Sequence, residues 1–593
     1  MAVTAGSVRT PTLSEKSGAA VPTVADHIVG ELIAASMTTA FGVHGANIED
    51  LYDAAIRASG MTAVVAKHEF AAGAMADGAA RITGIPGVVL TTSGGGAMNV
   101  VPALAEAYDS RVPVLALIGT APSALVGRGA FQDMLCPPDT VDVAGLMSAV
   151  TGSCSVVGHA GEVPVALATA FATLRRGLPA AVLLPKDVQS AAFPGRPRPP
   201  PPGWASGGGA PVPGTALDTV ADELCDIVES GGATVIWVGA EASVAGVGPQ
   251  VDDLACALGA VVVAAPGGRD ILTDADGFAG VTGVMGHPSA HRAIAESTAC
   301  LVLGCRLTMT DRGGLDDTLP RLRLTHLGSE PPRMPGQVDH VPCTDLRAGV
   351  ARLTDGIRRR LGAGARQREP VDVTHLAVPP RPSGPDIRTP DIRTPDIRTP
   401  DMRTVVESIG AALPPDTTVF ADAGNAGAAA IHHLPFGHGR FVVALGMGGM
   451  GYALAAGVGN AIRSLADPER SRTVVIAGDG AFFMHGMEIH TAVEHSAPVT
   501  VVLLNNNAHA MCITREHAFF PKTPSINRFR PTDLAGGLAA MFDGLAVARA
   551  SDPASVRAAA ADLLSRSGPN CLVVDVDPDE IPPFAPLIPK GSP

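Results

Sequence analysis

The sequence predicts an α/β protein made of three doubly wound parallel-sheet domains, and three observations carry that expectation. The chain has 593 residues, too many for one hydrophobic core when a domain takes about 150. Two breaks in composition divide it into three long segments of similar size. Within each segment short apolar runs alternate with helical stretches, the order of strand–helix–strand units.

The strand candidates are AAVLLP, ATVIWVG, AVVVAAP, ACLVLG, RTVVIAG and VTVVLLN. Each is an unbroken apolar run rich in β-branched residues, whereas a half-exposed strand would alternate. Burial on both faces is the pattern of a parallel sheet. Between them lie helical stretches such as TVADHIVGELIAAS, where Thr23 is placed to cap the first turn.

The first break is GRPRPPPPGWASGGGAPVPG, whose prolines and glycines can neither join a central strand nor continue a helix. The second is Pro-rich and ends in a repeat, PDIRT three times from Pro385 and then PDMRT from Pro400. A proline in every unit blocks regular helix, so the repeat reads as an extended, charge-solvated linker. The expected organisation is a tail over 1–22, domains over 23–194, 215–362 and 401–593, and linkers over 195–214 and 363–400.

Apolar residues at 46% and charged residues at 17% suit packed cores, and the low aromatic share of 4% suggests tight helix and sheet packing. The formal charge of −14 is spread without long acidic blocks, which argues against a nucleic-acid or anionic-membrane surface. No signal-peptide core and no membrane-length apolar stretch is evident, so a soluble cytoplasmic protein is expected. The nine cysteines are scattered without a CxxC pair and read as free thiols, none of them assigned to a metal.

The strongest chemical signal is GDGAFFMHGMEIHTAVEHSAPVTVVLLNNN, which starts where RTVVIAG ends and closes where VTVVLL ends. Two parallel strands present their ends on one carboxyl edge, where ligands of open α/β sheets bind. Asp479 and Asn506 therefore meet there. A carboxylate with an amide oxygen is a sparse, hard set suited to Mg²⁺, which completes its octahedron from water and ligand phosphates. Gly478 and Gly480 let the backbone approach a diphosphate, and the following helix offers free N–H groups.

GDG, some two dozen residues, and then NN resembles the diphosphate motif of thiamine-diphosphate enzymes, and the chain looks like their acetolactate-synthase branch. The segment from Lys67 to Pro122, with KHE, MADGAAR and TSGGGAMN, is similar to the pyrimidine-binding domain of that family. Glu69 falls on the position of its cofactor-activating glutamate. A carboxyl group bonded to N1′ of an aminopyrimidine promotes the imino tautomer, whose 4′ nitrogen can take the proton from the thiazolium C2.

Further roles follow from the same resemblance. GMGGMGYALAAGVGNAI gives Gly448 a backbone contact to the aminopyrimidine and Met450 the wedge that bends the cofactor. ADAGNAG makes Gly424 and Asn425 candidates at the diphosphate, joined there by Gly480 and Ala481. Ala508 joins Asp479 and Asn506 around the metal, and Met511 lies against the cofactor. GRGAFQD places Gln132 near the reacting carbon.

The chain departs from the family in two places. Aldehyde-forming decarboxylases carry an acidic residue after the VFGVPG turn and a later His pair; here the turn is AFGVHGAN, with Ala46 at the acidic position. The HH dipeptide, His432 and His433, lies in the C-terminal segment. This favours ligation over protonation. The acetolactate-synthase acceptor pocket is also altered, because the loop reads NNNAHAMCITREHAFF without the usual Trp; Trp204 and Trp237 lie elsewhere. His44 and His509 become candidate polar groups facing substrate.

The resemblance implies three domains, pyrimidine-binding, central and diphosphate-binding, in a homodimer or homotetramer with active sites between subunits. It implies a carboligase that decarboxylates a 2-oxo acid such as pyruvate and joins it to an acceptor carbonyl. Thiamine diphosphate and Mg²⁺ are the cofactors; FAD is a further candidate, since the central domain of acetolactate synthases binds it. The competing readings are a 2-oxo-acid decarboxylase releasing aldehyde and a catalytically silent paralogue that binds cofactor.

Overall fold

A computed structural model describes residues 21–193, 204, 214–271, 277–334, 338–362, 364, 366–368, 370–378, 399–437, 439–467 and 472–587. The three PDIRT units except Thr399, and most of both expected linkers, lie outside these residues. The fourth unit, expected to be extended, opens a helix instead, because Asp401 accepts the Thr404 N–H at 2.7 Å as its N-cap.

Each apolar run becomes a strand, and every paired strand is parallel to its neighbours. The first sheet holds β1 (Thr39–Gly42), β2 (Thr62–Val65), β3 (Gly87–Thr91), β4 (Val114–Thr120), β5 (Ser153–Val156) and β6 (Ala180–Pro185), in the order β2-β1-β3-β4-β6-β5. The second holds β7 (Thr234–Val238), β8 (Val261–Ala264), β9 (Phe278–Val281), β10 (Ala299–Leu303), β11 (Arg323–Gly328) and β12 (Asp339–Pro342), ordered β12-β11-β10-β7-β8-β9. The third holds β13 (Thr418–Ala421), β14 (Phe441–Val443), β15 (Thr473–Gly478), β16 (Val499–Asn505), β17 (Ala546–Ala550) and β18 (Asn570–Asp575), ordered β14-β13-β15-β16-β18-β17. The expected fold class of three α/β domains is what the chain adopts.

Strand order reverses between β1 and β3, between β7 and β10, and between β13 and β15, so each sheet has a crevice at those carboxyl ends. Thr23 caps the helix Val24–Ala34 as expected, in a capping box with Asp26.

The outer domains share one hydrophobic core. Its seam is the helix Glu69–Thr83 lying on the helix Tyr452–Ser464, brought close by glycine: a Cβ on Gly78 would stand 2.6 Å from that of Ala456, and one on Gly459 2.5 Å from that of Met75. The central domain docks on the third through Arg269, whose guanidinium donates to Ala430 O and Leu434 O at the end of the helix Asn425–His433. Among the described residues no helix is long and apolar enough to cross a membrane. The nine cysteines are free thiols.

Candidate functional site

β15 and β16 run side by side with Gly478 opposite Leu504, which brings Asp479 and Asn506 to one edge. Asp479 is 1% exposed. Burial pushes its carboxyl up to about 6, against the backbone N–H groups of Gly480, Asn506, Ala508 and Asn507 that favour the ionised form. Its Oδ2 has no partner. A buried carboxylate oxygen left this way costs about 1–3 kcal/mol, so the residues fit a hard divalent cation. Asn506 Oδ1 accepts the Ala508 N–H at 3.1 Å, which orients the amide within the turn. Asn507 holds a left-handed φ of 52° and accepts the Thr532 N–H at 2.9 Å.

At the β13/β15 switch point Gly424 has φ 89° and Asn425 begins the following helix, its buried Oδ1 unpartnered. A Cβ on Gly424 or on Gly448 would meet nothing within 4 Å, so both backbones face open space. Gly448, at φ 66°, lies in the loop Gly446–Gly451. Asp422, fully buried, accepts the Gly451 and Ala453 N–H groups at 2.8 Å and so fastens that loop to the switch point.

Met450 and His509 converge on Gly480: a Cβ there would lie 2.6 Å from His509 Nδ1 and 3.2 Å from Met450 Cε. The His509 ring stands edge-on to Phe529 at 4.7 Å, and its Nδ1 is unpartnered. Ala481 is buried in the core, and Met511 packs partly on the apolar core of the same domain.

The second cluster stands at the carboxyl ends of β1 and β3. Glu69, 8% exposed, begins its helix, and its Oε2 accepts the Asn99 Nδ2–H at 2.9 Å. Tyr52 is buried beside it; burial first, and the Glu69 charge second, push its hydroxyl well up. His44 is exposed with its ring 5.0 Å from that of Tyr52. Gln132, at φ 61°, accepts the Ser93 hydroxyl at 3.2 Å, and Ser93 Oγ accepts Asn47 Nδ2–H at 2.5 Å.

The two clusters are joined within one chain. Phe70 stacks on His485 at 4.4 Å and lies 3.4 Å from where a Gly449 Cβ would be. Glu488 accepts the Lys67 N–H at 2.9 Å, and Glu106 accepts the Gly446 and Met447 N–H groups. Among the described residues Glu69 itself bonds to Asn99 of its own domain and to no group of the third.

Sequence reasoning missed Asn99, Tyr52, Asp422, Glu106 and Glu488. Asn99, Asp422 and Glu488 stood inside the quoted motifs and Glu106 inside the Lys67–Pro122 segment, but nothing local marked their roles, and Tyr52 lay outside both.

His432 and His433 lie at the junction with the central domain. The His432 ring stacks on His287 at 4.3 Å and 10°, and His375 completes a group whose ring nitrogens lie within 4.8 Å of one another. Parallel rings do not converge on an ion. His287 accepts the Val281 N–H and donates to His432 O, while His432 donates to Met285 O and accepts the Leu376 N–H. The group is packing, not a metal centre.

At the β7/β10 switch point Glu241 N–H donates to Gly304 O, and its half-buried carboxylate accepts the Ser329 N–H at 2.9 Å.

Three family models match the three domains in order. They are the thiamine pyrophosphate enzyme N-terminal TPP binding domain over residues 22–143, the central domain over 221–348 and the C-terminal TPP binding domain over 422–576. Among curated relatives, the acetolactate synthase isozyme 1 large subunit of Escherichia coli K12 is 24% identical, the match covering 96% of each chain. The large subunit of Parasynechococcus marenigrum is 27% identical over 93% of this chain and 87% of its own. The isozyme 2 large subunit of E. coli is 27% identical over 96% and 98%. With all three domains matched in order and relatives aligned along nearly the whole chain, the chain belongs to the thiamine-diphosphate-dependent enzymes, in their acetolactate-synthase-like branch.

Proposed function

We propose that the protein is a carboligase: it decarboxylates a 2-oxo acid such as pyruvate and joins the remaining fragment to an acceptor carbonyl. Thiamine diphosphate, when bound, supplies the electron sink that makes loss of CO₂ feasible. Asp479, Asn506 and the Ala508 main chain would hold Mg²⁺ against its diphosphate, and Gly424, Asn425, Gly478, Gly480 and Ala481 would line the cradle. Met450 and Gly448 would position the ring that Glu69 protonates, with Met511 beside it. Gln132, His44 and His509 would face substrate.

The observation that favours ligation over aldehyde release is the fate of the His pair. His432 and His433 are locked in the stack with His287 and His375, and Ala46 offers no carboxyl group after β1. Neither proton donor of the aldehyde-forming pattern stands at the Glu69 cluster.

The reading includes a homo-oligomer, in which Glu69 of one copy serves Asp479 and Asn506 of another. The test is product analysis with pyruvate, with and without an added aldehyde. Ligated product is expected; free aldehyde in both arms establishes the decarboxylase, and cofactor retention without turnover establishes the silent paralogue.

A further inference from the structure

We infer that Asn99 is a positioning residue that decides which oxygen of Glu69 carries the exchanged proton, an inference resting on the role proposed above for Glu69. Asn99 ends the short helix Gly95–Asn99 that follows β3, and its Nδ2 donates to Glu69 Oε2 at 2.9 Å. The other oxygen, Oε1, lies against Gly96: a Cβ built there would be 3.1 Å from it. One oxygen is therefore held by a donor and the other is left free on a face kept small by glycine.

An amide N–H can only donate. When Glu69 is protonated, a hydrogen on Oε2 would oppose those of Asn99, so the proton resides on Oε1. When Oε1–H gives its proton to the ring nitrogen, the electron pair stays on the carboxylate, and the share of charge on Oε2 is met by the Asn99 N–H.

The titratable groups around Glu69 are Tyr52 from the helix Glu49–Arg57 and His68 at its own N-cap, with His485 edge-on to His68 at 5.3 Å. Tyr52 is neutral across the working range, and His485 is held near 4 by burial first and by His68 second. Neither supplies the donor that Asn99 does.

The experiment is an infrared difference titration of the cofactor-free protein, with the Glu69 carboxyl band identified by its loss in Glu69→Gln. Asn99→Ala removes a hydrogen bond to the charged form and should move that titration upward by about one pH unit. Asn99→Asp sets a second carboxyl group against the first and should move it by about two. Because Asn99 is exposed in the single chain, thermal unfolding should be unchanged. With cofactor and Mg²⁺ added, the pH profile of C2 proton exchange should shift in step. A band titrating at one pH in all three proteins overturns the inference. If Glu69→Gln exchanges C2 at the wild-type rate, the proposed role of Glu69 fails instead, and the titration still reads Asn99.

Discussion

Glu106 Oε2 accepts the Met447 N–H at 2.6 Å, tying the first domain to the loop that presents Gly448 and Met450. The same carboxylate takes Arg81 Nη2, the Ser110 hydroxyl and the Gly446 N–H. Burial raises its pKa, but Arg81 and these donors outweigh it and the net shift is downward. Arg81 belongs to the helix that begins with Glu69, so one side chain fixes Glu69 relative to the loop. Glu106→Ala should cost about 1–3 kcal/mol, since it takes the Gly446 and Met447 N–H groups from their acceptor and leaves Arg81 with Asp77 alone, at 2.6 Å. Calorimetry should show the loss, and cofactor affinity should fall with it. An unchanged cofactor affinity in a folded variant would mean that the loop is held by Asp422 alone.

The histidine stack predicts acid sensitivity at the junction of the second and third domains. Burial holds His432 near 4 and His433 near 3, both below the ordinary 6.5. His287 is pushed down to about 2, again by burial first. A depressed histidine pKa means that the unfolded chain binds protons which the folded chain refuses. Stability is therefore full above about 6.5 and falls as pH drops toward the folded values, by roughly 1.4 kcal/mol per pH unit for each histidine. Arg269 and Arg403 face the cluster and deepen the effect, while Glu407 opposes it at His375. His433→Leu removes one such site, and its Nδ1 has no partner to lose. The slope of unfolding free energy against pH between 4 and 6.5 should then fall by about one proton; an unaltered slope assigns the sensitivity to other groups.

What could be read in the sequence divides along a physical line. Strands β6, β7, β8, β10, β15 and β16 were visible because a parallel strand buried on both faces writes an unbroken apolar run. Once two such runs are strands, their ends share an edge, which is why Asp479 and Asn506 could be placed together. Glu106 and Glu488 could not be found this way. Their partners, Met447 and Lys67, lie 341 and 421 residues away, and an acidic residue on a helix carries no local mark of a distant N–H. The fourth repeat unit misled for the opposite reason. Its local pattern matched the linker, but Asp401 caps a helix whose apolar face, with Val405, Val406 and Ile409, is buried in the third domain.

Arg269 offers a separate test of how the central domain supports the cofactor cradle. It is buried between the Phe436 and Phe441 rings, at 4.7 and 4.5 Å, with two donors on the last carbonyls of the helix that Gly424 caps. Burial lowers its pKa to about 9. Arg269→Met keeps the apolar stem and removes the donors; about 1.5–3 kcal/mol per charged hydrogen bond is expected to be lost. The midpoint of thermal unfolding should fall, and added thiamine diphosphate with Mg²⁺ should restore part of it, because a ligand that binds only the folded state stabilises it. No recovery on loading would separate this helix end from the cradle at its start.

Gly480 separates packing from binding most cleanly. A Cβ there would meet His509 Nδ1 at 2.6 Å and Met450 Cε at 3.2 Å, both ends of side chains that can swing aside, and no main chain. Its φ lies outside the left-handed region, so Gly480→Ala carries no backbone strain and a helical alanine is favourable by about 1 kcal/mol over glycine. The folded protein should therefore keep its melting temperature within a degree or two. Cofactor binding should still weaken by tenfold or more, because the methyl group displaces the wedge and the histidine together and fills the approach to the diphosphate. Titration calorimetry with thiamine diphosphate in the presence of Mg²⁺ reads this directly, and equal affinity in both proteins would show that the ligand lies elsewhere than against Gly480.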